Sequence, residues 1–153
     1  MITNLVQKSM DTRQIQAIVL CIFRRKESIL VLENYDNEHE EYVYQLPGGS
    51  VGFGEYSWES VRRQVRSELG EEIENLTFLG PEENVTAENG KTLHEIIFMF
   101  KGDFVNKENY RKSEIGRGHP GASRAVWKPV SEFQRKKLRL QPEGLTDLLS
   151  MAE

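Results

Sequence analysis

The stretch that most constrains this chain runs from Leu46 to Ile73, LPGGSVGFGEYSWESVRRQVRSELGEEI. A Pro-Gly-Gly turn leads into a short glycine-containing loop, and the loop leads into a charged segment with helical periodicity. The spacing predicts a helix that starts near Tyr56 or Ser57 and stops at Gly70, since glycine is the usual residue just past a helix end. Trp58, Val61, Val65 and Leu69 recur at offsets of three and four, so at roughly 100° per residue they form one narrow stripe. That stripe is the predicted buried face. Ser57, Gln64 and Glu68 line one flank of it and Ser67 lies further round. The helix therefore turns polar groups toward whatever the glycine loop also faces.

The strands around this unit follow from residue type. Arg13–Phe23 is rich in Ile and Val and reads as a buried strand. Arg24–Ser28 is a charged turn, and Ile29–Asn34 is a second strand expected to pair back as a hairpin. Tyr42–Pro47 is a short third strand that delivers the glycine turn. Beyond the helix, Leu76–Gly80 and the run through Val85 read as a strand, and Lys91–Phe104 as its return. Between them stands Asn89-Gly90, the strongest short hairpin signal. Asn106–Ser123 is a long polar loop, of a length usually reserved for function or disorder. Ala122–Phe133 gives a last strand through Trp127. The closing segment reads as a helix with Pro142 in its first turn and Leu145, Leu148 and Leu149 on one face. Hairpin-paired strands with one helix in the middle and one at the end predict an α/β sandwich with a mixed sheet.

The Leu46–Ile73 unit resembles the Nudix box, whose pattern is G-x5-E-x7-R-E-U-x-E-E-x-G-U with U aliphatic. Gly49, Glu55, Arg63, Val65, Glu68 and Gly70 match it. Gln64 and Ser67 stand where the pattern has Glu, and Glu71 where it has an aliphatic residue. The resemblance implies a Nudix-like α/β/α sandwich covering roughly Ile15 to Leu149, in a single domain spanning 1–153. It also implies hydrolysis of a nucleoside diphosphate linked to another moiety, dependent on Mg²⁺ or Mn²⁺.

In such hydrolases the helix carboxylates hold the cation against the diphosphate, because a hard divalent ion wants oxygen ligands and the attacked group carries charge. The resemblance assigns the metal positions to Gly49 (through its carbonyl), Gln64 and Glu68, with Glu95 on a later strand as a further ligand or base. Two of the usual negative charges are missing, since a Gln offers only a neutral carbonyl and a Ser only a short hydroxyl. The expected activity is therefore a weakened one. Glu68, Glu95 and Arg63 are the catalytic candidates. Glu55 and Arg63 are expected to pair and fix the loop onto the helix, with Ser67 in a supporting place.

Other residues carry weaker signals. Arg62 and Arg66 are candidates for substrate phosphates, although a solvated helix face accounts for them as well. Tyr42 and Tyr44 share a strand face and are weak candidates for stacking on a base, with packing the plainer reading. Trp58 and Trp127 are assigned to the core, as is Cys21, whose apolar flanks suit a small buried hydrophobe. His94 reads as structural. Glu71 and Glu72 can replace missing charge only if the helix end unwinds.

Composition sets the outer limits. The chain has 153 residues, with 24 acids against 20 Lys and Arg and a net charge of −4. That mild acidity argues against general nucleic-acid binding. A lone cysteine makes no internal disulfide and implies no oxidising compartment. No apolar run is long enough to span a membrane and the N-terminus lacks a signal-peptide core, so a cytoplasmic protein is expected. The alternatives to a weakened hydrolase are a catalytically inactive Nudix-fold module that binds nucleotides or another protein, and a protein–protein module using the Asn106–Ser123 loop. Homodimerisation is compatible with each.

Overall fold

A computed structural model describes residues 13–152. Its strands are β1 (Ile15–Ile22), β2 (Arg24–Arg25), β3 (Ser28–Asp36), β4 (Glu41–Gln45), β5 (Gly48–Ser50), β6 (Ile73–Glu88), β7 (Lys91–Phe104), β8 (Glu114–Ile115), β9 (Arg124–Pro129) and β10 (Arg139–Gln141). Helix α1 spans Ser57–Leu69 and α2 spans Val130–Gln134, with 3₁₀ turns at Lys107–Tyr110 and Glu143–Ala152. The expectations for residues 1–12 lie outside the described residues.

Two sheets share the work. One runs β5-β1-β7-β6 and the other β10-β4-β3-β9-β8, with β2 attached to β3. The first is mixed: β1 pairs parallel with β7 and antiparallel with β5. Side chains alternate from one face of a strand to the other, and the core divides accordingly. Val19, Cys21, Leu30, Leu32 and Phe100 pack with Val61, Val65 and Leu69 of α1. Ile18, Leu20, Ile97, Met99 and Val31 pack with Leu145 and Leu149 of the C-terminal segment. Helical layers on both sides of a mixed β layer make the expected α/β/α sandwich.

The expected pairing of the first two long strands is not what forms. β3 pairs with β4 and β9, while β1 lies in the other sheet. Only the two residues of β2 close the tight turn against β3. The reason lies in the apolar run of β1, which is buried on both faces from Ile18 onward and therefore suits a central strand with a parallel neighbour. The chain changes sheets at Phe23, whose carbonyl accepts the Leu30 N–H at 3.1 Å.

Other elements follow the sequence closely. Asn89 and Gly90 both take positive φ, 53° and 76°, as a type I′ hairpin turn requires. β6 is longer than the sequence implied and is one strand with register shifts at Glu74/Thr77 and Phe78/Gly80, bulges that let a long strand bend without losing its partner. The Asn106–Ser123 segment is not a bare loop. It carries the 3₁₀ turn, the short β8 and a fully buried Asn109, whose Nδ2 donates to Glu71 Oε1 at 2.7 Å. The closing segment is a 3₁₀ helix, with Leu145 and Leu149 buried as the periodicity required.

The glycine turn is pinned into the first sheet. Cys21 N–H donates to the Pro47 carbonyl at 2.9 Å, and Gly48 pairs with Leu20. A Cβ at Gly48, where φ is +151°, would stand 2.0 Å from the Val19 carbonyl oxygen. Gly48→Ala is therefore expected to lower stability by about 1–3 kcal/mol, the usual cost of forcing extra volume into a packed site. A urea midpoint shift at unchanged m-value measures it, and an unshifted midpoint would show that the turn is free to relax.

Candidate active site

The site is built where β5 hands the chain to α1. Helix α1 begins with Tyr56 at its N-cap and ends at Gly70, whose φ of 71° allows the left-handed cap. Glu59 steadies the first turn by accepting the Tyr56 N–H at 2.9 Å. Val61, Val65 and Leu69 are buried as predicted, but Trp58 is half exposed and Ser60 is buried instead. The assignment of Trp58 to the core is thus corrected. The loop before the helix folds against its first turns and presents the Gly52 N–H and the Glu55 carboxylate there, so the inward position goes to the Ser60 hydroxyl.

Glu55 organises the loop. Its Oε1 accepts the Gly52 N–H at 3.0 Å, the Ser60 hydroxyl at 2.8 Å and Arg63 Nη2 at 2.9 Å, while Oε2 accepts Arg63 Nε at 2.9 Å. The Arg63 guanidinium, then the Ser60 hydroxyl, pull the Glu55 carboxyl down to about 2. Arg63 Nη2 also donates to the Ser50 carbonyl at 3.2 Å. The expected Glu55–Arg63 pair is present, and it joins loop to helix.

Gln64 sits directly over the glycine turn. Its Nε2 donates to the Ser50 carbonyl at 3.1 Å, and a Cβ on Gly49 would fall 2.6 Å from its Cδ. The amide orientation is dictated by chemistry, because an oxygen aimed at the Ser50 carbonyl would be repelled. Glu68, one helical turn on, is engaged elsewhere. Its Oε1 accepts the Ser123 N–H at 3.1 Å and its Oε2 lies 3.6 Å from His119 Nε2. The same loop closes on the helix end, where Gly118 N–H donates to the Glu68 carbonyl at 2.8 Å. A Cβ at Gly118 would stand 2.2 Å from the Ser67 carbonyl oxygen. The Ser123 hydroxyl donates to Asn34 Oδ1 at 2.7 Å.

The remaining candidates scatter. Glu95 shares strand parity with Ile97 and Met99, which face the C-terminal segment, whereas Gly49 faces Gln64 of α1. Glu95 therefore projects from the opposite face of the sheet and does not join Gln64 and Glu68. Ser67 is exposed. Arg62 donates to the Ile73 carbonyl at 2.6 Å, and Arg66 forms a two-pronged pair with Glu72 at 2.6 and 2.9 Å. Arg62 ties the helix to the start of β6 and Arg66 ties it to the connector just before β6, rather than facing the turn. Tyr44 is buried against Phe133 and donates its hydroxyl to Glu33 at 3.0 Å. Tyr42 is exposed and packs edge-on with Tyr35.

The donor set does not fit a divalent ion held in advance of substrate. Gln64 presents an N–H donor to the Ser50 carbonyl, the polarity opposite to that of a cation ligand. The one carboxylate on the flank, Glu68, already accepts a backbone N–H. Among the described residues no three His, Cys, Asp or Glu side chains come together as a metal-binding group.

The sequence profile of the NUDIX domain matches residues 12–149. The chain belongs to the Nudix family. Its fold is shared with solved Nudix structures. A NUDIX hydrolase from Nitrosomonas europaea is 21% identical, covering 91% of this chain and 90% of its own, with a TM-score of 0.64. A MutT protein from Bacillus halodurans is 21% identical over 89% of this chain and 80% of its own, with a TM-score of 0.60. A MutT NUDIX hydrolase from Burkholderia pseudomallei is 22% identical over 77% and 85%, with a TM-score of 0.59. No curated protein sequence matches the chain. Among the described residues no helix is long and apolar enough to cross a membrane.

For this Nudix chain, sequence reasoning missed Ser60, His119, Ser123 and Asn34. Only the turn-forming His-Pro-Gly at 119–121 hinted that the loop would fold back, and nothing in the spacing named α1 as its destination.

The lowered Glu55 acidity has a consequence for stability. A carboxylate acidified by folding stabilises the fold fully above its ordinary value of 4.5 and loses that contribution as pH falls toward about 2. Thermal unfolding of Glu55→Gln and the parent chain across this range is expected to show a gap that is widest near neutrality and closes on acidification. A gap independent of pH would show that the Glu55 charge is not what anchors the loop.

Proposed function

We propose that this protein binds a nucleoside diphosphate joined to a second group and hydrolyses the phosphoanhydride slowly, with Glu68 as the carboxylate of the reaction. The observation that carries this reading is the network of Glu55, Arg63, the Ser50 carbonyl and Gln64, which holds the glycine turn against the helix flank. Backbone turned toward such a gap by glycines approaches a phosphate more closely than any side chain allows. In the reaction, water adds to one phosphorus, the bridging P–O bond breaks and the departing phosphate oxygen carries away the charge. Glu68 takes the proton of the attacking water. Arg63 is a positioning residue, since its guanidinium is engaged by Glu55 and Ser50.

A second reading, an inactive nucleotide-binding module, draws on one specific feature. Gln64 gives the Ser50 carbonyl an N–H bond, and Glu68 is shared between Ser123 and His119, so the flank is already satisfied without a ligand. The two readings part in the assay. Phosphate or nucleotide release from a panel of nucleoside-diphosphate derivatives, with Mg²⁺ and with Mn²⁺, is expected to give slow turnover. Glu68→Gln is expected to reduce it by roughly 10²–10⁴-fold, the usual worth of a general base. Turnover unchanged in that variant removes Glu68 from the chemistry. A chain that binds nucleotides without turnover, and gains both metal affinity and rate on Gln64→Glu with Ser67→Glu, is the inactive module.

A further inference from the structure

The loop that joins β8 to β9 has little to hold it except one residue of α1. The two strands pair at Glu114 with Val126 and at Ile115 with Ala125, so residues 116–123 connect them. Ile115 and Ala122 are buried, and the six residues between them are all exposed. Those six read Gly-Arg-Gly-His-Pro-Gly, with three glycines and no large apolar side chain. A loop of this composition gains almost nothing from the core, so polar contacts set its place.

Those contacts converge on Glu68. Gly118 N–H donates to its main-chain carbonyl at 2.8 Å, Ser123 N–H donates to its Oε1 at 3.1 Å, and His119 Nε2 lies 3.6 Å from its Oε2. Among the described residues, no hydrogen bond or ion pair joins this loop to any other residue of the helix. Ala122 N–H donates to the His119 carbonyl at 3.0 Å, a turn that brings His119 and Ser123 to the carboxylate from one short arch. The last carbonyls of a helix need capping, and the Gly118 bond supplies that here. Capping does not account for the two further contacts, which fall on the two oxygens of the side chain.

We infer that residues 116–123 are an autoinhibitory strap, which in the free protein occupies both oxygens of Glu68 and has to lift before turnover. This rests on the reading of Glu68 as the carboxylate of the reaction. A general base must come within hydrogen-bond reach of the water it deprotonates. Here one oxygen already accepts the Ser123 N–H, and the His119 imidazole lies beside the other. The strap can lift as a unit because its hold on the helix is a single residue. Gly116 has nothing within 4 Å of a Cβ and Gly121 only the His119 ring, so the backbone is free to turn at both ends. The rate is then scaled by the fraction of molecules in which the strap is open, and slow turnover follows.

Two measurements on the full chain test this. The first is amide hydrogen exchange without any ligand. Gly118 N–H bonds a main-chain carbonyl, which Glu68→Ala leaves in place, so a loop that merely caps the helix keeps that amide protected in the variant. A strap held through the carboxylate does not. The Gly118 amide is expected to exchange at least roughly 10-fold faster in Glu68→Ala than in the parent, the contribution of one hydrogen bond to a charged group; unchanged exchange overturns the inference. The second is turnover on the nucleoside-diphosphate panel. Gly118→Ala places a Cβ 2.2 Å from the Ser67 carbonyl oxygen and so unseats the loop, and His119→Ala removes a side chain that is 47% exposed. Both are expected to exceed the parent rate, Gly118→Ala by roughly 10-fold, and a rise in either supports the strap. No rise in His119→Ala or in folded Gly118→Ala overturns the strap and leaves the proposed function standing. Undiminished turnover in Glu68→Gln overturns the proposed function itself.

Discussion

The arrangement depends first on the Glu55 carboxylate. It joins the Gly52 N–H, the Ser60 hydroxyl and the Arg63 guanidinium, and those three groups come from the loop, the first turn of α1 and its second turn. An exposed ion pair of this kind contributes only about 0–1 kcal/mol by itself. Its importance is geometric. It sets the angle at which the loop enters the helix, and so fixes Arg63 and Gln64 where both reach the Ser50 carbonyl. It also leaves Phe53 and Tyr56 outside, fully and largely exposed, since a loop clamped at Gly52 and Glu55 cannot tuck its tip under the helix.

The flank beyond this clamp carries a neutral amide at Gln64 and one carboxylate at Glu68, and both are engaged. With a Gln at position 64, the carbonyl that a cation would otherwise draw toward the helix is held by an amide N–H. The amide keeps the backbone in place while reversing the polarity of the contact. At the other end of the flank, Glu68 has found a backbone donor in Ser123 and a neighbour in His119. The loop carrying both lies tight on the helix end, where only a glycine fits at Gly118. Opening that flank to a ligand costs the Ser123 and His119 contacts.

What the sequence made legible was local. The bounds of α1, the type I′ turn at Asn89-Gly90 and the glycine turn after Pro47 each rest on residues whose backbone preferences decide the matter within a few positions. What stayed illegible was long-range. Nothing in the run RQIQAIVLCIF distinguishes a strand that pairs with the next one from a central strand that pairs with Lys91–Phe104, because both are apolar on two faces. Trp58 satisfied the helical stripe, yet the stripe says nothing of where the core ends, and the first turn of α1 lies past that edge. The order in the Asn106–Ser123 segment came from Asn109 meeting Glu71 and from Gly118 meeting the helix end, neither of which spacing can reveal. Glu55, Arg63 and Gln64 come together because they sit on one loop and one helix, whereas only the resemblance suggested Glu95 beside them. Its face was decided by pairing register.

That register also separates two kinds of chemistry within one narrow layer. On β5, Gly49 lies opposite Val19 and Ser50 opposite Ile18, so the glycine turns toward Gln64 and α1 while the serine side chain turns to the face that carries Ile18, Ile97 and, one row out, Glu95. A single-residue slip of β5 on β1 would exchange these faces, as any odd shift in a strand must. It would put a side chain where Gln64 now covers the turn. Such a slip is blocked at Gly48, whose backbone packs so close to Val19 that no Cβ fits. The residue before the box is thus what keeps the glycine turn on the α1 side of the sheet and the row of Glu95 on the other.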